Sequence, residues 1–146
     1  MDILKLDLGI KEYRLTENGV LRFNPSDPNV YARFLDAEKD IRAVEQEAAD
    51  KAKAETDNIG GTAIRIMEEA DGKIKDILNR IFGHGNNFHD ILEGVNVLAV
   101  GGNGIRIISN LLEVLAPIME QGAKDFADGK VAEAKLNREQ RRAMGQ

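Results

Sequence analysis

The feature that most constrains this chain is a change of period. Up to Phe23 its apolar residues tend to alternate, whereas from Val30 onward they recur every third or fourth position. The boundary is the run Asn24-Pro25-Ser26-Asp27-Pro28. Alternation marks a half-buried strand and 3.6-residue periodicity an amphipathic helix. The chain therefore opens as sheet and continues as helix, which predicts an α+β, mainly α fold with a small antiparallel β-meander packed on about three main helices.

The strand signals lie within residues 2–23. Ile3-Leu4-Lys5-Leu6-Asp7-Leu8 sets Leu4, Leu6 and Leu8 on one face, Gly9 interrupts, and Glu12-Tyr13-Arg14-Leu15 resumes. Asn18-Gly19 is a strong hairpin signal, and Val20-Leu21-Arg22-Phe23 supplies the return. A meander of two or three strands is marginal alone and needs a helix, or a second subunit, over its apolar face.

A helical body is expected over residues 27–136. Asp27 can cap the first helix, and Pro28 suits its first position, where a missing N–H costs nothing. Val30, Phe34, Ala37, Ile41, Val44 and Ala48 then form one stripe. From Glu45 to Glu55 large apolar residues run out, which predicts an exposed or bridging extension on a helix on the order of 40 Å long. Asn58-Ile59-Gly60-Gly61 breaks the pattern, and Thr62 is the expected cap of a second helix with Ile66, Met67, Ala70, Ile74, Ile77, Leu78 and Ile81 inward. A short helical turn over Phe88 to Glu93 follows. The third main helix starts near Ile105, with Ile105, Ile108, Leu111, Leu112, Leu115 and Met119 on its apolar side. Pro117 is expected to kink or break it near residue 116. Residues 1–136 read as one domain and residues 137–146 as a disordered tail.

Composition narrows the function. With 146 residues, no cysteine, no tryptophan and 5% aromatics, the core must be aliphatic, and thiol chemistry is ruled out. The first fifteen residues lack the pattern of a signal peptide, and no apolar run approaches a membrane span. The expected location is the cytoplasm. A net charge of −5 argues against general nucleic-acid binding, although residues 130–146 carry +3 on a body of −8.

No pattern nominates an active site. Gly101, Gly102 and Gly104 miss the dinucleotide-binding spacing, and no Lys-Ser/Thr follows to make a P-loop. His84, His89 and Glu93 are too few for a supported transition-metal site. Ser26 reads as helix-start chemistry and Ser109 as helix interior, neither in a nucleophile-elbow setting. The reading is a non-enzymatic, protein-binding chain without a cofactor.

Three segments carry a resemblance. They are Phe23-Asn24-Pro25-Ser26-Asp27-Pro28-Asn29-Val30-Tyr31-Ala32-Arg33-Phe34 after a small meander, and Ile81-Phe82-Gly83-His84-Gly85 with Ile91-Leu92-Glu93-Gly94-Val95-Asn96. The last is the helix Asn110 to Ile118 closing into the basic Leu136 to Ala143. In this order the chain resembles the small tail assembly chaperone-like proteins of tailed phages and prophages of Gram-positive bacteria. It departs from them at Gly101-Gly102-Asn103-Gly104, where a more continuous helical start is expected. The resemblance implies a protein that binds the tape-measure protein, keeps its helices soluble, recruits tail-tube subunits and is absent from the finished virion. The expected contact residues are Ile105, Ile108, Leu112, Leu115 and Met119, with Arg138, Arg141 and Arg142 for a second partner. The half-covered sheet and the Glu45–Glu55 extension predict a homo-oligomer. Two alternatives remain: a structural tail or connector component retained in the virion, and a nucleic-acid-binding regulator using the basic tail.

Overall fold

The computed structural model describes residues 1–54, 59–83 and 85–143. Its elements are β1 (Lys11–Arg14), β2 (Val20–Phe23), α1 (Pro28–Ala54), α2 (Ile59–Phe82), α3 (Phe88–Ile91) and α4 (Ile107–Ala143). The fold is α+β and mainly α, with three long helices behind a two-stranded antiparallel sheet.

The hairpin is smaller than expected. Residues 2–8 form no strand, and register begins at Lys11↔Phe23. The period-2 pattern there reports a one-sided segment, but among the described residues no strand pairs with it. Gly19 also acts differently from a positive-φ turn glycine. The turn closes through the Leu15 N–H on the Gly19 carbonyl (2.9 Å), and a Cβ at position 19 would collide with the Ile91 carbonyl. Glycine is needed for that close approach.

Alternation in β2 sends Leu21 and Phe23 inward and leaves Val20 and Arg22 exposed. The inner face meets an aromatic row: Tyr13 to Phe23 (5.4 Å between ring centroids), Phe23 to Phe82 (4.7 Å) and Phe82 to Phe88 (5.7 Å). A helix end thus covers the sheet. Its β2 edge is closed by Asn86, whose side chain accepts from the Arg22 N–H (2.9 Å) and donates to the Arg22 carbonyl (2.8 Å) and the Phe82 carbonyl (3.2 Å). The amide stands where a third strand's peptide would.

Asp27 caps α1, its carboxylate accepting from the Asn29 N–H at 2.9 Å. Helices α1 and α2 form an antiparallel pair, fastened by Arg33 Nε on the Ile81 carbonyl (2.9 Å) at one end and by Glu47, Lys51, Glu69 and Lys73 at the other. The stretch expected to be a bridging extension is therefore packed. Ala48 is buried with Ile66 and Ala70, with Val44, Ala52 and Leu98 against them. Small residues bring the two helices close where large ones are missing. Thr62 lies inside the first turn of α2 rather than at its cap; Glu55 and Asn58 fall outside the described residues.

Helix α4 departs most from expectation. It begins at Ile107, runs unbroken through Pro117, and reaches Ala143, so residues 137–143 are exposed helix where a disordered tail was expected. Proline removes one intrahelical bond, and the leucine-rich turns before it are held by the core on Ile108, Leu111, Leu115 and Met119. Beyond residue 124, Ala, Lys, Glu, Gln and Arg favour helix without needing a core. Gly122 lets α4 cross Pro25, whose carbonyl a Cβ would strike. No helix among the described residues is long and apolar enough to cross a membrane.

Candidate functional site: an apolar groove at the head of the long helix

The loop before α4 settles what the glycine run does. Val100 and Arg106 form an isolated antiparallel bridge, with Gly101 N–H on the Ile105 carbonyl (2.8 Å) and Gly104 at φ 81°. The run is a tight loop. Its stem then caps the helix: the Ile107 N–H donates to the Ala99 carbonyl (2.9 Å) and the Ile108 N–H to the Val97 carbonyl (2.8 Å). Two N–H groups a phosphate would need are already satisfied within the protein. The loop is tied to α2 by Asp71, whose carboxylate accepts from the Val97 N–H (2.9 Å) and from Lys75 Nζ (3.1 Å).

This anchoring leaves a groove of about 290 Å³ beside the head of α4. The hairpin turn supplies Leu15 and Thr16, the exit of α3 supplies Leu92, Glu93 and Val95, and α4 supplies Ile107, Asn110, Leu111 and Val114. The four α4 positions are spaced 3, 1 and 3, so they share one helical face. The polar groups of the lining are engaged with the protein itself. Thr16 Oγ1 donates to the Ile91 carbonyl (2.6 Å), Asn18 Nδ2 donates to Glu93 Oε1 (2.8 Å), and the Asn110 amide is shared with Asn103. Glu93 sits at φ 54°, in the left-handed region that usually takes glycine after a helix end. Glycine at that position would lack the carboxylate that bonds Asn18. What remains for a ligand is an open wall of Leu, Val and Ile, suited to apolar side chains of a partner.

The expected contact residues divide. Ile108, Leu115 and Met119 are buried in the core, so they cannot form a contact surface; that expectation is corrected. Leu112 is partly buried against the same core, and Ile105 is exposed. Arg138, Arg141 and Arg142 are exposed on the last turns of α4, at spacings of 3 and 1 that set them on one side. Sequence reasoning missed Ile107, Val114, Val95 and Leu15. The available signal was an excess: the head of α4 has apolar residues at 107, 108, 111, 112, 114 and 115, with Ile105 just before it, more than one inward stripe can hold.

Among the described residues no group of three or more His, Asp or Glu is arranged to hold a metal. His89 pairs with Asp76 (3.6 Å) while Glu93 bonds Asn18, so those two side chains serve different partners. His84 lies outside the described residues. Compared with protein families, curated proteins and solved structures, the chain finds no match.

Proposed function

We propose that this protein is a non-enzymatic tail assembly chaperone that binds a helical segment of a phage tape-measure protein in the groove at the head of α4. The carrying observation is the groove itself, an open apolar wall whose own polar groups are already paired. An amphipathic helix docks by laying residues spaced 3 and 4 into such a wall. Val114, at 53% exposure, stands on its rim and is available to a partner without disturbing the core. The resemblance noted in the sequence supplies the identity of the partner. The projecting end of α4, with Arg138, Arg141 and Arg142, offers a second contact surface for tail-tube subunits.

Co-expression with the cognate tape-measure protein tests the reading. The expected result is a soluble complex that copurifies, against aggregated tape-measure protein when it is expressed alone. Equal solubility with and without this chain, and no isolable complex, overturns it. Deleting residues 138–146 is expected to leave the fold and that complex intact while weakening the association of tail-tube subunits.

A further inference from the structure

Residues 1–10 run as an exposed arm ahead of β1. Leu4, Leu6 and Leu8 are 92%, 82% and 61% exposed, although their alternation is that of a buried strand face. Among the described residues, no backbone–backbone hydrogen bond involves the arm; its ties are the Leu8 carbonyl to the Asn24 amide and the Gly9 N–H to Asp7. An exposed segment of alternating leucines, with its backbone N–H and C=O groups largely unspent, is a template for pairing as a strand with another chain.

From its charge pattern we infer that the arm pairs with the same arm of a second copy, as an antiparallel ribbon whose two-fold axis passes through Leu6. In that register Lys5 lies opposite the partner's Asp7, and Asp7 opposite the partner's Lys5. Leu6 meets its own copy, and Leu4 meets the partner's Leu8 on the same face. Directly opposed side chains in an antiparallel pair sit about 4.5–5.5 Å apart at Cβ, so both charge pairs and all the leucine pairs are in contact. A slip of two residues sets Lys5 against Lys5 or Asp7 against Asp7. A slip of one turns the leucines toward the charged face. Within the arm, one register alone satisfies charge and leucine face together, and, like any antiparallel self-pairing, it is two-fold symmetric and closes as a dimer. This inference does not depend on the chaperone reading.

The chain has no cysteine, so an introduced thiol reports on the register without background. Leu6→Cys is expected to form a covalent dimer under mild oxidation roughly tenfold or more faster than Leu4→Cys or Leu8→Cys alone, because its thiols are held together rather than meeting by diffusion. In the ribbon, each of the latter two lies about 13 Å from its own copy. An equimolar mixture of Leu4→Cys and Leu8→Cys is expected to cross-link as a heterodimer. Lys5→Asp and Asp7→Lys are each expected to weaken dimerisation roughly tenfold or more, and their mixture to restore it. Thermal melts of all five variants should match the parent, since the arm is outside the core. If the three cysteine variants cross-link at one common rate, or the two charge variants associate no better mixed than alone, the arm is not a self-pairing strand.

Discussion

Asn86 joins the sheet to the helices, and its replacement has a calculable cost. Its buried amide makes three hydrogen bonds, two to the Arg22 backbone and one to the Phe82 carbonyl. Asn86→Ala removes all three. At about 1 kcal/mol each, with more wherever a backbone group is left unpaired, the loss is about 3–4 kcal/mol. Set against a typical stability of about 5–15 kcal/mol, that is a large fraction. Asn86→Asp refines the test. The carboxylate keeps the bond from the Arg22 N–H but turns an acceptor toward two carbonyls. Its protonated form can still donate to one of them, so its folded pKa is raised above the unfolded value. Stability is then retained below the unfolded carboxylate pKa and lost as pH rises through the folded one. Urea denaturation of both variants is the assay. Asn86→Ala is expected to be weakened by about 3–4 kcal/mol at every pH, and Asn86→Asp markedly less at pH 4 than at pH 7. A cost for the alanine variant below about 0.5 kcal/mol, or an aspartate variant indifferent to pH, refutes the role given to Asn86.

Three further outcomes follow from single contacts. Asp71→Ala leaves Lys75, whose side chain is 2% exposed, without its carboxylate and is expected to cost about 3–5 kcal/mol in chemical denaturation. Lys75→Met leaves an Asp71 carboxylate that is 16% exposed and still bonded to the Val97 N–H, and should cost less. Pro117→Ala, on the exposed side of α4, restores an intrahelical bond and should stabilise the protein by about 1–3 kcal/mol in the same assay. The Lys51 hydrogen bond, aided by the Lys51 and Lys73 charges, holds the Glu47 carboxyl below its usual range. The Glu47 hydrogen bond and the Glu47 and Glu69 charges hold Lys51 above its own. The Glu47 contribution is therefore present above the ordinary carboxylate pKa and lost as pH falls through the depressed one. That of Lys51 is present below the ordinary ammonium pKa and lost as pH rises through the raised one. Both groups are exposed, so thermal melts at neutral pH should show the network's stabilisation to be small and weakened by salt.

Local chemistry was the legible part of the fold. The Pro25–Pro28 boundary, the Asp27 cap and the stripes on the first two helices follow from period and side-chain type alone, and each sits in the structure where those rules put it, except that Met67, expected inward, is 37% exposed. The leading strand was misread because alternation states which face is apolar, not whether a partner strand exists. Pro117 was overweighted, since one missing bond is a small loss against a helix face buried from Ile108 to Met119. The groove was illegible for a different reason. Its walls come from Leu15, Leu92 to Val95 and Ile107 to Val114, three elements whose juxtaposition depends on long-range ties such as Thr16 to Ile91 and Asp71 to Val97.

The groove as a partner-binding surface is tested most directly by Val114→Glu, which sets a charge on its rim while leaving the buried side of α4 untouched. The measurement is the affinity of this variant, beside the parent, for the tape-measure segment proposed as its partner, with thermal melts of both proteins. The expected result is binding weakened by roughly tenfold or more with an essentially unchanged melting temperature, as for an exposed rim position under a docked apolar side chain. Undiminished binding by the Val114→Glu protein would contradict the account, because the partner would then be held somewhere other than this groove.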